Sequence, residues 1–190
     1  MEILAVTHNQ HKIKELSAIL TPYCQLISLK ELNDHDQVVE DGQTYLENAL
    51  KKGRYFAKKY QRVVLADDSG LMVNYLKGPG VNSRYYSNQG DDANNQLVLK
   101  NLQEVSEREA VFTTVLVLVQ PSGEYVSFVG ETNGTIAQNL KGDNGFGYDQ
   151  IFYPQGFDQT YAQMSFSQKN KVSHRAKAIN LLLQYLSQLK

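Results

Sequence analysis

The sequence predicts a mixed-sheet α/β fold, with a central sheet flanked by helices. Three observations carry that expectation. Strand-type and helix-type segments interleave along the 190 residues. Short apolar runs alternate with segments whose apolar residues recur at helical spacing. Two strand-type runs are joined by only four residues, "QPSG", so at least one pair is antiparallel and the sheet is not purely parallel.

Taken in order, "EILAV" (2–6) reads as the first strand. After "THNQ" a helix follows, with Ile13, Leu16 and Leu20 on one side. In such a strand–loop–helix opening, backbone N–H groups at the helix start can receive an anion. "CQLISL" (24–29) is a second strand, and "TYLENALKKGRYFAKKY" (44–60) a helix with Leu46, Ala49, Leu50, Phe56, Ala57 and Tyr60 along one side. Thr44 and Glu47 have capping-box spacing, which gives Glu47 a structural role and removes it from the catalytic candidates. "VVL" (63–65) is a buried strand, followed by a turn over 67–70 and a second apolar stretch, 71–73. "GPG" (78–80) is a turn or loop, and "DDANNQLVLKNLQEV" (91–105) a helix. "VFTTVLVLV" (111–119) and "EYVSFVGETNGTIA" (124–137) form a hairpin, and "SHRAKAINLLLQYLSQLK" (173–190) a helix with Ser173 as its N-cap.

Composition narrows the function classes. With 42% apolar and 21% charged residues and no repeat or linker, the chain is expected to be one domain over 1–190. Cys24, the one cysteine, excludes an intramolecular disulfide; it fits a reducing cytoplasm and the role of a small buried hydrophobe. "MEILAV" is not a signal peptide, and "VFTTVLVLV" is too short to cross a bilayer, so no membrane partner is expected. A net charge of −1 without a basic tail argues against nucleic acid. Any anionic ligand must be held by a few locally placed cations.

Four polar constellations are candidates for chemistry. In "THNQHKIKE" (7–15), Thr7, Asn9 and Lys12 either line a phosphate pocket or form a solvated, capped helix start. His8 and His11, an i, i+3 pair without cysteines or an HExxH context, are a weak transition-metal signal. In "VVEDGQTY" (38–45), Glu40 follows two valines and reads as a carboxylate at a strand end. The adjacent Asp67 and Asp68 of "VVLADDSGL" (63–71) are either a polar turn or a site for a hard cation or acid–base work. The fourth runs from "GDNGFGYDQIF" (142–152) to "KNKVSHR" (169–175). There, glycines around Phe146 and Tyr148 let an aromatic face and the Asp149 carboxylate approach a flat ligand, while Lys169, His174 and Arg175 add donors. None of the four is a Walker A loop.

Together, "THNQHKIKE", "TYLENALKK", "ADDSGL", "GFGYD" and "KN…SHR", in this order and at these separations, resemble the inosine triphosphate pyrophosphatase family from Thr7 to Arg175. The resemblance implies an elongated α/β fold with two lobes around a substrate cleft, a homodimer and a Mg²⁺ requirement. It also implies hydrolysis of nonstandard purine nucleoside triphosphates, such as the inosine, deoxyinosine and xanthosine forms, to the monophosphate and pyrophosphate. Carried over by motif, Thr7, His8, Asn9, Gln10, His11 and Lys12 match the phosphate-binding loop, Glu40 a metal-site carboxylate and Lys52 a phosphate-contacting lysine. Asp68 matches the metal-binding residue and proton acceptor, with Ser69 touching substrate. Asp67 reads as its structural partner, although an exchange of roles between the two stays open. Phe146, Gly147, Tyr148, Asp149, Lys169, His174 and Arg175 match the nucleotide-binding residues.

The chain departs from the family pattern where "PGVNSRYY" replaces the usual "PGVxSARY" and at Gln150 and Gln163, which stand for a proline and a glutamate. None of these is a carried-over site residue. Two alternatives remain: a pyrophosphatase for other modified nucleotides, and a nucleotide-binding module without catalysis.

Overall fold

Apolar β-branched segments and amphipathic helices alternate as expected in the computed structural model, which describes residues 2–188. The order is β1 (Glu2–Ala5), α1 (Gln10–Leu20), β2 (Gln25–Ser28), α2 (Tyr45–Tyr60), β3 (Val64–Val73), β4 (Gly78–Pro79), a 3₁₀ helix (Gly80–Tyr85) and α3 (Asp91–Asn101). β5 (Glu109–Val119), β6 (Tyr125–Ile136), β7 (Phe152–Pro154), α4 (Phe166–Val172) and α5 (His174–Gln188) complete it. The strands run β2-β1-β3-β5-β6-β7, with β4 on β3. β1 pairs in parallel with β2 and β3, whereas β3–β4 and β6–β7 are antiparallel, so the sheet is mixed. β5 and β6 are neighbours joined by a short turn closed by the Gln120 N–H donating to Glu124 O at 2.8 Å, the expected hairpin.

Within the described residues the chain divides into two compact units. The first comprises 2–68, 114–130 and 177–188. Two apolar clusters lie in it. One gathers Ile3, Ala5, Leu16, Leu20, Leu65 and the inward residues of α5; the other gathers Leu4, Val6, Phe56, Ala57, Val64 and Ala66. Successive strand residues point to opposite faces of a sheet. Hence Leu65 packs with α1 and α5, while Val64 and Ala66 pack with α2. The second unit, 69–113 with 131–176, is built around Leu71, Val98, Phe112, Ile151, Phe152 and Tyr161.

Several sequence expectations are corrected. Residues 67–70 do not turn: β3 runs unbroken from Val64 to Val73. Asp, Ser and Gly favour turns when solvated. Here Asp67 and Asp68 are only 2% and 6% exposed, and tertiary partners hold both in extended backbone. The helix expected over 91–105 stops at Asn101; Glu104 takes φ +63°, and turns carry the chain out. "GP" forms a two-residue strand rather than a loop. β7 and α4 were not expected. α4 opens on a reciprocal cap in which Ser165 Oγ accepts the Gln168 N–H and Gln168 Oε1 accepts the Ser165 N–H. At α2, Thr44 Oγ1 caps Glu47 N at 3.1 Å as expected, but the Glu47 carboxylate takes the N–H of Gln43 rather than that of Thr44.

Candidate active site

In the first unit, the loop between β1 and α1 is ordered by its own side chains. Thr7 Oγ1 accepts the Asn9 N–H at 3.2 Å, and Asn9 Oδ1 accepts the N–H groups of His11 and Lys12 at 2.9 and 3.3 Å. Asn9 is thus the N-cap of α1, occupying two of the donors that a phosphate would otherwise meet. His8 Nε2 lies 2.8 Å from the Asp36 carbonyl, while Gln10 and His11 are exposed. Lys12, on the first turn, reaches Asp67 at 2.8 Å.

Strand alternation separates the two aspartates. Asp67 shares the face of Leu65 and meets Lys12 of α1; Asp68 shares the face of Val64 and Ala66 and meets α2. Asn48 Nδ2 donates to Asp68 Oδ2 at 3.1 Å, while Asn48 Oδ1 accepts the Gly42 N–H at 2.7 Å. One buried amide therefore ties Asp68 to the loop that carries Glu40. Lys52, one helical turn after Asn48, pairs with Glu40 at 2.9 Å. Burial pushes the Asp68 carboxyl up to about 6; Lys52 and Lys12 pull it down, Glu40 adds to the rise, and the Asn48 bond opposes it. The motif reading passed over Asn48. Its signal was a polar residue i−4 to Lys52 beside the apolar Ala49.

In the second unit, Ser69 follows Asp68 along β3, and Arg175 Nη2 donates to Ser69 Oγ at 3.0 Å. Phe146 is half-buried. The Lys169 ammonium and the Arg175 guanidinium lie 4.8 and 5.6 Å from its ring centroid. Lys169, 4% exposed, pairs with buried Asp149 at 2.5 Å, and the same Asp149 oxygen accepts the Phe146 N–H at 2.9 Å. Tyr148 is core: its hydroxyl donates to Ser83 O at 2.7 Å. His174 is buried too, its ring stacked on Phe112 at 4.3 Å with an interplanar angle of 4°. Gly147, between Phe146 and Tyr148, takes φ +61°.

The departures from the family pattern have local partners. Gln150 Nε2 donates to Gly142 O at 3.0 Å, Gln163 Oε1 accepts the Thr160 N–H at 3.0 Å, and the Arg84 guanidinium lies 5.5 Å from the exposed Tyr85 ring. Two surface hollows of about 560 and 520 Å³ in the second unit, one beside Arg108 and one beside Tyr153, hold none of the candidate residues. Among the described residues, no group of three or more His, Cys, Asp or Glu side chains converges as a metal cage. No helix there is long and apolar enough to cross a membrane.

The profile of the Ham1 family matches residues 3–185. A dITP/XTP pyrophosphatase of Acholeplasma laidlawii is 39% identical over 186 residues, covering 97% of this chain and 92% of that one. A dITP/XTP pyrophosphatase of Staphylococcus aureus is 42% identical over 189 residues, covering 98% and 96%. The solved structure of the Staphylococcus aureus Ham1 protein superposes with a TM-score of 0.89 at 41% identity, covering all of both chains.

Proposed function

This chain belongs to the Ham1 family, and from that premise we propose that it hydrolyses nonstandard purine nucleoside triphosphates to the monophosphate and pyrophosphate. Inosine, deoxyinosine and xanthosine triphosphates are the proposed substrates; the names of its relatives carry the deoxyinosine and xanthosine forms. One observation carries the reading: Asp68, a buried carboxylate, stands among Lys12, Lys52 and Glu40 and is oriented by Asn48.

The pair Glu40 and Asp68 fits Mg²⁺, which takes one or two carboxylates and completes its shell with water and phosphate oxygens. Burial and the neighbouring Glu40 both disfavour the Asp68 charge, and a divalent cation would relieve both. When bound there, Mg²⁺ would offset triphosphate charge and polarise the attacking water. The chain's own groups do the rest. Lys12 and Lys52 supply positive field to the phosphates, exchanging part of their interaction with Asp67 and Glu40. Asp68 receives the proton of the attacking water, and Asp67 holds Lys12. Ser69 touches substrate, Phe146 stacks on the base, and Lys169 and Arg175 donate to it. Tyr148, Asp149 and His174 serve the same recognition from behind, by fixing the Phe146 loop and its surroundings.

The proposal treats residues 1–190 as one catalytic domain working as a cytoplasmic homodimer on a small-molecule substrate, with neither nucleic acid nor membrane as partner. The net charge of −1 and the single cysteine support the last points, and the homodimer rests on the family resemblance. The test is a substrate panel in Mg²⁺ with chromatography and pyrophosphate detection. Inosine triphosphate should yield monophosphate and pyrophosphate in equal amounts. Its kcat/KM should lie at least about tenfold above that for GTP and further above that for ATP. Accumulation of inosine diphosphate, or equal efficiency on ATP, would overturn the reading. Binding without product would leave a nucleotide-binding module, and preference for a modified pyrimidine would move the substrate class.

A further inference from the structure

The loop that carries Phe146 is gripped by two side chains outside every motif described above. Asp91 and Asn95 stand four residues apart on the first turns of α3. Asp91 Oδ2 accepts the Gly147 N–H at 2.7 Å, and Asn95 Nδ2 donates to the Gly147 carbonyl at 2.9 Å. Both polar backbone groups of one residue are thus held by one helix face. One residue earlier in the loop, Asp149 accepts the Phe146 N–H at 2.9 Å.

The loop needs such restraint. Gly145 and Gly147 adopt φ +79° and +61°, the left-handed region that glycine enters freely and leaves as freely. A Cβ on Gly145 would stand 1.9 Å from Asp149 Oδ2, so the close approach of that carboxylate excludes any stiffer residue. Asn95 is 1% exposed, and its Oδ1 has no hydrogen-bond partner. Among the described residues, the one amide contact formed there is the bond from Nδ2 to the Gly147 carbonyl.

We propose that Asp91 and Asn95 are positioning residues for base recognition: by clamping the Gly147 peptide they set the plane of the Phe146 ring. The proposal rests on the reading of Phe146 as the ring on which the purine stacks. A ring free to tilt weakens stacking in the ground state and the transition state alike, so the effect falls on KM rather than on kcat.

The experiment compares the full-length chain with Asp91→Ala, Asn95→Ala and Asp91→Asn. It measures steady-state kinetics on inosine triphosphate and hydrogen exchange of the 145–149 segment. Each alanine variant should raise KM about tenfold with kcat within about twofold, the pattern of lost uniform binding. Exchange in the segment should quicken in both. Asp91→Asn keeps an acceptor oxygen and should restore KM to within about threefold of the parent. Unchanged KM and unchanged exchange in both alanine variants would overturn the clamp, as would a loss confined to kcat. Should Asn95→Ala fail to fold, Asp91→Ala decides, since Asp91 is exposed. A parent chain inactive on inosine triphosphate would overturn the functional reading instead, and the exchange measurement would then decide the clamp by itself.

Discussion

The Asp68 surroundings in the first unit and the Asp149 surroundings in the second both bury a carboxylate near lysine, but they treat its charge differently. Asp149 meets its lysine directly at 2.5 Å and takes a backbone N–H on the same oxygen. Asp68 accepts a hydrogen bond from the neutral Asn48 amide, while the nearby Lys52 and Lys12 pair with Glu40 and Asp67. A carboxylate closed by an ion pair and an amide is a fixed strut. One kept desolvated, beside a second carboxylate and cations already engaged elsewhere, is poised to change partners. The difference teaches that burial alone does not tell two carboxylates apart; the groups that surround each of them do.

The sharpest break of this comparison is Asp68→Asn. The substitution keeps shape and removes the charge, so kcat should fall by about two to four orders of magnitude, the usual contribution of a general base. The thermal midpoint should stay within a few degrees. Near-normal turnover would place the proton acceptor elsewhere, with Asp67 the first to examine.

Next in size is Lys169→Ala, read by denaturant unfolding. It leaves Asp149 buried without its ammonium and should cost about 3 kcal/mol, as broken buried pairs do. Lys52→Ala is the control. Its pair with Glu40 is partly exposed, at 13% and 23%, and the same measurement should find less than about 1 kcal/mol. Equal losses at the two positions would erase the distinction between strut and poised site.

The smallest effect concerns a third acid, Asp34 of the first unit. Burial works against its charge, but hydrogen bonds from Lys59, from Tyr60 and from the Asp36 N–H outweigh it and hold the carboxyl down at about 2. A group depressed on folding contributes stability that is present above its unfolded pKa, near about 4, and is lost as pH falls through the folded value. The thermal midpoint of the parent chain should therefore fall faster than that of Asp34→Asn between pH 4 and 2, with the gap between them closing by about 5 °C. Parallel curves would show that the network holds shape without charge.

How far these features could be read in advance depends on the length scale of the interaction. The span of α2, its Thr44 cap and the Ser173 cap of α5, whose Oγ accepts the Ala176 N–H, were legible because each rests on residues within a few positions. The cap of α4 was equally local and was overlooked, since seven residues give too little apolar periodicity to announce a helix. The turn read at 67–70 failed for the opposite reason. Its local propensity was real, but Lys12 and Asn48, distant in sequence, supply what solvent would have supplied.

The sequence by itself determined the interleaved mixed-sheet architecture, the β5–β6 hairpin and the set of chemical groups from Thr7 to Arg175, because composition, periodicity and motif order are properties of the chain. Only the tertiary structure decided which partner each group received. It sent Asp67 to Lys12 and Asp68 to Asn48, because neighbours on a strand face opposite sides of the sheet and meet different helices. It seated Tyr148 and His174 in the core and left Phe146 half-buried beneath two cations. It brought Asp91 and Asn95 onto Gly147 across more than fifty residues of chain. Pairings of that kind depend on how elements dock, and docking is fixed by the packing of whole faces rather than by any short stretch of sequence.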